Sequence, residues 1–210
     1  MIAAFFIFTI VFLYPFHASA QDFIIEEFHS EIAIDRDSSI TVEETIKVEF
    51  FRPRHGIYRE IPFKYRDELG RTIRTPIKVL TVHDGSGNKW KYRVKKQGSV
   101  INIRIGDPKG YVTGRQTYVI SYRVENALLF FNDHDELYWN VTGNYWKALI
   151  KKASARVVLI TENLSKDLWA ACYTGYYGSR ERSCEFRASR NSCEFIAIKE
   201  LKPGEGFTIV

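Results

Sequence analysis

No stretch beyond residue 20 carries apolar side chains at the three-and-four spacing of a long amphipathic helix, so a helical bundle is excluded. The familiar catalytic signatures are missing as well. There is no G-x-S-x-G elbow, no H-E-x-x-H pair, no phosphate-cradling glycine loop and no C-G-x-C-W setting around a cysteine. Beyond the leader the histidines are His29, His55, His83 and His134, and none sits in a nucleophile-activating pattern. An arginine-rich block is lacking, and the net charge of +5 is spread along the chain, so nucleic acid is not an expected partner. No repeat, low-complexity segment, linker or cofactor motif is found.

Positive charge is also absent where an export signal usually has it. The chain opens MIAAFFIFTIVFLYPFHASA, with no Lys or Arg before the apolar run. That run, Ile2 to Tyr14, falls short of the about 20 apolar residues of a spanning helix. Pro15 and the A-x-A pattern Ala18-Ser19-Ala20 follow, which reads as a secretory signal peptide over residues 1–20, removed before Gln21. Either the α-amino group serves alone or the true start lies upstream; an uncleaved anchor is the alternative. Cysteine is scarce, and Cys172, Cys184 and Cys193 all lie near the C-terminus. Export exposes them to an oxidising compartment, so one disulfide is expected. Cys172–Cys184 is preferred over Cys184–Cys193, because Gly175, Gly178 and Ser179 let the enclosed loop bend. An odd thiol then remains. No C-x-x-C and no nearby His completes a tetrahedral metal set.

What is abundant is alternation. In SITVEETIKVEFF, Ile40, Val42, Glu44, Ile46, Val48 and Phe50 share one face, and Thr41, Glu43, Thr45, Lys47 and Glu49 the other. RQTYVISYRV repeats this with Tyr118, Ile120, Tyr122 and Val124, and SVINIRI with Ile101, Ile103 and Ile105. ARVVLITE and CEFIAI are further β-branched runs. Turn residues separate them, as in Asp84-Gly85-Ser86-Gly87-Asn88 and Pro203-Gly204-Glu205-Gly206. The expected fold is all-β, an antiparallel sandwich of about ten strands over residues 21–210, with a conceivable subdivision near Ser154. The ending Gly206-Phe207-Thr208-Ile209-Val210 stops inside a strand, and a continuation of the chain is expected.

Several residues admit both a structural and a functional reading. Glu44 interrupts an apolar face, and a buried carboxylate without a partner would be costly, so a structural ion pair with Arg59 of HGIYREIPF is expected; a catalytic carboxylate is the alternative. KWKYRVK sets Lys89, Lys91, Arg93 and Lys95 on one face, a cationic row on the order of 20 Å long. It suits anionic headgroups or wall polymer, or simply protects a strand edge. Asp133, His134, Asp135 and Glu136 offer oxygen ligands, yet match no EF-hand loop and read more naturally as a turn, so no metal is assigned. Asn140-Val141-Thr142 and Asn163-Leu164-Ser165 match the glycosylation pattern. In ELYWNVTGNYW, Leu137, Trp139 and Val141 are expected on one side and Glu136, Tyr138, Asn140 and Thr142 on the other, with Gly143-Asn144 as a turn or bulge. The tryptophans are core material or a platform for sugar rings.

The segments ITVEETIKVEF, HGIYREIPF, ELYWNVTGNYW, CYTGYYGSRERSC and LKPGEGFTIV, taken in order, resemble the N-terminal extracytoplasmic domain of the domain-of-unknown-function family 2207. The resemblance covers nearly all of residues 23–210. It implies a signal peptide, a β-rich exported domain, and downstream membrane helices that anchor the intact protein at the extracytoplasmic face of the membrane. It supplies no catalytic residues.

The function expected is a non-enzymatic, membrane-tethered interaction or envelope module, with an anionic envelope polymer or another envelope protein as partner. The alternative is a carbohydrate- or wall-polymer-binding module using Trp139, Asn140, Trp146 and the row Lys89, Lys91, Arg93 and Lys95. A hydrolase with Glu44, Asp133 or Asp135 as acid or base is a third reading, and would need two carboxylates in one cleft.

Overall fold

Alternating side chains can bury one face only as strands, and strands are the regular elements of the described residues. A computed structural model describes residues 21–66, 72–160 and 168–210; the leader and the Asn163 triplet lie outside them. The first half holds β1 (Phe23–Ile34), β2 (Ile40–Arg54), β3 (Ile57–Pro62), β4 (Lys64–Arg66), β5 (Thr72–Arg74), β6 (Ile77–His83), β7 (Tyr92–Gln97) and β8 (Val100–Ile105). The second holds β9 (Val112–Val124), β10 (Leu128–Phe130), β11 (Asp135–Leu137), β12 (Trp139–Asn140), β13 (Ala153–Leu159), β14 (Cys172–Gly175), β15 (Cys184–Ala188), β16 (Ser192–Ala197) and β17 (Gly206–Ile209). No helix occurs among the described residues. The strands outnumber the ten or so expected because β4, β5, β10, β11 and β12 have only two or three residues, too few to show a period.

One layer is a seven-stranded sheet in the order β15-β16-β13-β1-β2-β9-β6. It holds strands from both sides of Ser154, with β15, β16 and β13 together at one end and β1, β2, β9 and β6 at the other. Facing it are two three-stranded sheets, β3-β8-β7 and β12-β17-β14. Short β4–β5 and β10–β11 hairpins complete the fold.

Register sets the interior. Val157, Ile32, Val42, Tyr122 and Val79 align across the large sheet, and the next inward row runs Phe195, Ala155, Ser30, Glu44, Ile120 and Val82. These rows are buried apart from half-buried Val79, and each large apolar side chain removed from water contributes about 1.5–3 kcal/mol. The outer face is polar: Lys47 pairs with Glu27, Arg115 with Glu49, and Arg123 with Asp35 and Asp37. Being exposed, these pairs contribute little.

One neighbour pair departs from the antiparallel expectation: β1 and β13 run parallel. Parallel neighbours need a crossover. Here the chain crosses through the second layer, returns with Leu149 and Lys151 bonded to Ile25, and so enters β13 at the same end as β1. The layers are also joined covalently, since the Cys172–Cys184 disulfide links β14 to β15 with Cα atoms 6.1 Å apart. Cys193 is a buried free thiol.

Candidate functional site

Glu44 points into the core because it occupies an inward position of β2, and Arg59 meets it from β3 in the facing layer. Both are buried. Arg59 Nη2 donates to Glu44 Oε1 at 2.7 Å and Nε donates to Oε2 at 2.8 Å, a two-pronged pair. Tyr122, one inward row along on β9, donates its hydroxyl to Glu44 Oε1 at 2.6 Å.

A guanidinium has five N–H donors, and a buried one needs all of them satisfied. The remaining acceptors are backbone carbonyls. Nη1 donates to Glu60 O at 2.8 Å and Thr142 O at 2.9 Å, and Nη2 to Val141 O at 3.0 Å. The Phe28 ring covers the guanidinium at 5.4 Å. Burial opposes the charge on Arg59, but the Glu44 carboxylate outweighs it and raises the pKa above the ordinary guanidinium value. The Tyr122 hydroxyl is pushed well above its usual range by burial and then by Glu44. A fully paired cluster of this kind holds its protons and offers no open position to a reactant.

The segment WNVTGNYW is shaped around this cluster. Gly143 has φ +75°, and a Cβ there would lie 2.8 Å from Arg59 Nη1. Its N–H donates to Asn140 Oδ1 at 2.9 Å, which closes the bulge. Trp146 Nε1 donates to Thr142 O at 2.9 Å, and its ring meets Phe28 edge-on at 6.3 Å. Trp139 packs beside Tyr122, 6.5 Å between centroids. Leu137, Trp139 and Val141 face inward as expected, but Thr142 is buried too. The bulge turns its carbonyl to Arg59, and its hydroxyl accepts the Phe207 N–H at 2.9 Å.

The sugar platform at Trp139 and Trp146 is corrected by these positions. Their exposures are 7% and 6%, so neither ring offers a face to a ligand. Asn140 is likewise occupied, donating to Asn144 Oδ1 at 2.6 Å.

The cationic residues Lys89, Lys91, Arg93 and Lys95 are all exposed, the last two on β7, the edge strand of its sheet. Lys91 pairs with Asp107, and that hydrogen bond, with the Lys109 N–H, holds the Asp107 carboxyl below its ordinary pKa. On the opposite side Trp90 stacks on Tyr118 at 5.0 Å and donates to Thr117 O at 3.0 Å.

Asp133 to Glu136 form the turn and start of the β10–β11 hairpin, where His134 stacks on Phe131 and binds Asp133 at 2.9 Å. Glu44 is sealed in the core while Asp133 and Asp135 are exposed, so Glu44 shares no cleft with either. Among the described residues no three His, Cys, Asp or Glu side chains are grouped to hold a metal ion.

Sequence reasoning missed two features. Tyr122 completes the Glu44 site, and its signal was a tyrosine on an apolar face, which needs a hydroxyl partner. The other is a rim of exposed tyrosines: Tyr145 next to the buried Trp146, and Tyr176 and Tyr177 within the disulfide loop.

The architecture recurs in solved structures. Native leukotriene A4 hydrolase from Saccharomyces cerevisiae matches with a TM-score of 0.56 at 12% identity, over 89% of this chain and 29% of that one. The bestatin complex of the yeast enzyme matches at 0.56 and 11%, over 90% and 29%. At such identity the likeness concerns fold alone. In sequence, the Uncharacterized protein YciQ of Escherichia coli (strain K12) is 30% identical over 132 residues, 61% of this chain and 21% of that protein, so the match spans about a fifth of the relative's length. The family model described as the N-terminal domain of predicted membrane protein DUF2207 matches residues 24–210, and the chain belongs to this family.

Proposed function

We propose that this domain is a non-catalytic binding module on the extracytoplasmic side of a membrane protein. The observation that carries this reading is the cluster at Glu44. The only carboxylate–arginine pair buried on both sides among the described residues has its hydrogen-bonding positions filled by Tyr122 and by backbone carbonyls. It fastens one layer to the other and leaves binding to the surface. The disulfide between the layers supports an oxidising compartment, where such bonds persist. Membership of a family described as predicted membrane proteins supports the tether.

The test uses location. Lys95 is exposed on β7, whereas native Cys193 is buried and should stay silent. Lys95→Cys in the full chain should react with a membrane-impermeant maleimide in intact cells. Labelling only after lysis would contradict the placement.

A further inference from the structure

From the geometry we infer that the rim formed by Tyr145, Tyr176, Tyr177, Arg180 and Arg182 binds an acidic polysaccharide. This deepens the binding-module reading and rests on it.

The rim is ordered from beneath. Asn144 Nδ2 donates to Gly175 O at 3.2 Å and to Gly204 O at 3.3 Å, which draws the GNYW segment, the disulfide loop and the last turn together. Within the loop, Ser179 N–H donates to Tyr176 O at 2.8 Å and Thr174 N–H to Glu181 O at 2.7 Å. Cys172–Cys184 closes its base. Gly175 and Gly178 take φ of 112° and 83°, a backbone that other residues rarely adopt. The Tyr176 ring lies over Gly204, where a Cβ would sit 3.3 Å from its edge. A surface built in this way loses little entropy when it is occupied.

Its side chains are those a charged sugar chain needs. Tyr145 is 54% exposed, Tyr176 59% and Tyr177 94%, so three phenol rings project from a braced frame. Each ring offers an apolar face with a hydroxyl at its tip. Arg182 sits over the Tyr173 ring at 5.5 Å, and Arg180, two residues earlier, is also exposed. The acidic residue between them, Glu181, is engaged by Ser183 at 2.5 Å and Lys199 at 3.1 Å. Two planar cations are thus presented to an anion, which suits carboxylate or phosphate groups. Residues 173–183 contain no Leu, Ile, Val, Met or Phe. Tyrosine and arginine also anchor protein partners, so an acidic protein is the competing occupant, and poly-L-glutamate stands for it in the test below. Rings spaced by glycine and flanked by arginine fit pyranose faces that alternate with carboxylates.

Alginate serves as the probe, with dextran as neutral sugar and poly-L-glutamate as acidic non-sugar. Binding to the full chain in detergent is measured by affinity electrophoresis. Tyr176→Ala with Tyr177→Ala, and Arg180→Gln with Arg182→Gln, should each weaken alginate binding about tenfold, a loss of the size of one good contact. Unchanged thermal midpoints would show that the fold is intact. Dextran should not bind, and poly-L-glutamate should respond to the arginine pair only. Absence of alginate binding, or wild-type binding by the tyrosine variant, would overturn the assignment. So would poly-L-glutamate held as tightly as alginate and equally sensitive to the tyrosines. None of these results alters thiol labelling at Lys95→Cys, so failure of the rim and failure of the location are separable.

Discussion

Within one eleven-residue stretch, ELYWNVTGNYW, the aromatic side chains meet opposite fates. Trp139 and Trp146 close the core over Tyr122 and Phe28, whereas Tyr138 and Tyr145 stand in solvent. The same backbone serves both sides, because its carbonyls at Val141 and Thr142 turn inward to Arg59 while Asn144 reaches outward to the disulfide loop. Aromatic density therefore says little about binding here. What separates the two groups is the face of the chain on which each ring falls: Trp139 and Trp146 turn inward, and their neighbours Tyr138 and Tyr145 turn outward.

The comparison can be broken from the inside. Arg59→Ala strands Glu44 in the core and should cost about 3–5 kcal/mol, read as a large fall in the urea midpoint. Tyr122→Phe removes one donor to a charged acceptor and should cost about 1.5–3 kcal/mol by the same measurement. Gly143→Ala forces a Cβ onto Arg59 and a side chain into a left-handed conformation, for about 1–3 kcal/mol. From the outside the effect should almost vanish. Tyr177→Ala should shift stability by no more than about 0.5 kcal/mol, and a larger loss would mean that the rim belongs to the core.

The smallest effect concerns pH. The Asp84 carboxylate accepts from the Asn88 side chain and from the Asn88 and Ser86 N–H groups, which lowers its pKa below the ordinary 3.8. A depressed carboxylate stabilises the fold above its unfolded pKa and loses that contribution as pH falls through the folded value. Asp84→Asn should therefore flatten the acid limb by slightly lowering stability at neutral pH, with little change at low pH, where the wild type has lost the same contribution.

Much of the inside was legible beforehand. Period two in residues 40–50 placed Glu44 inward, and the cost of a lone buried carboxylate pointed to an arginine partner in HGIYREIPF. The acceptors for the rest of that guanidinium were not legible, since backbone carbonyls leave no mark on side-chain pattern. Nor was the parallel β1–β13 pair, because alternation shows which face is buried but not which strand lies alongside. The tryptophans were ambiguous for a related reason: large rings suit both cores and platforms, and only the layer packed over each face decides. Exposed tyrosines beside glycine look in sequence like ordinary turn residues.

The decisive measurement is a double-mutant cycle across the layers, comparing Glu44→Leu, Arg59→Met and the double variant by chemical unfolding. If the pair fastens the layers, each single change should cost about 3–5 kcal/mol and the double far less than their sum, because no buried charge is left unpaired. Losses that simply add would contradict the account.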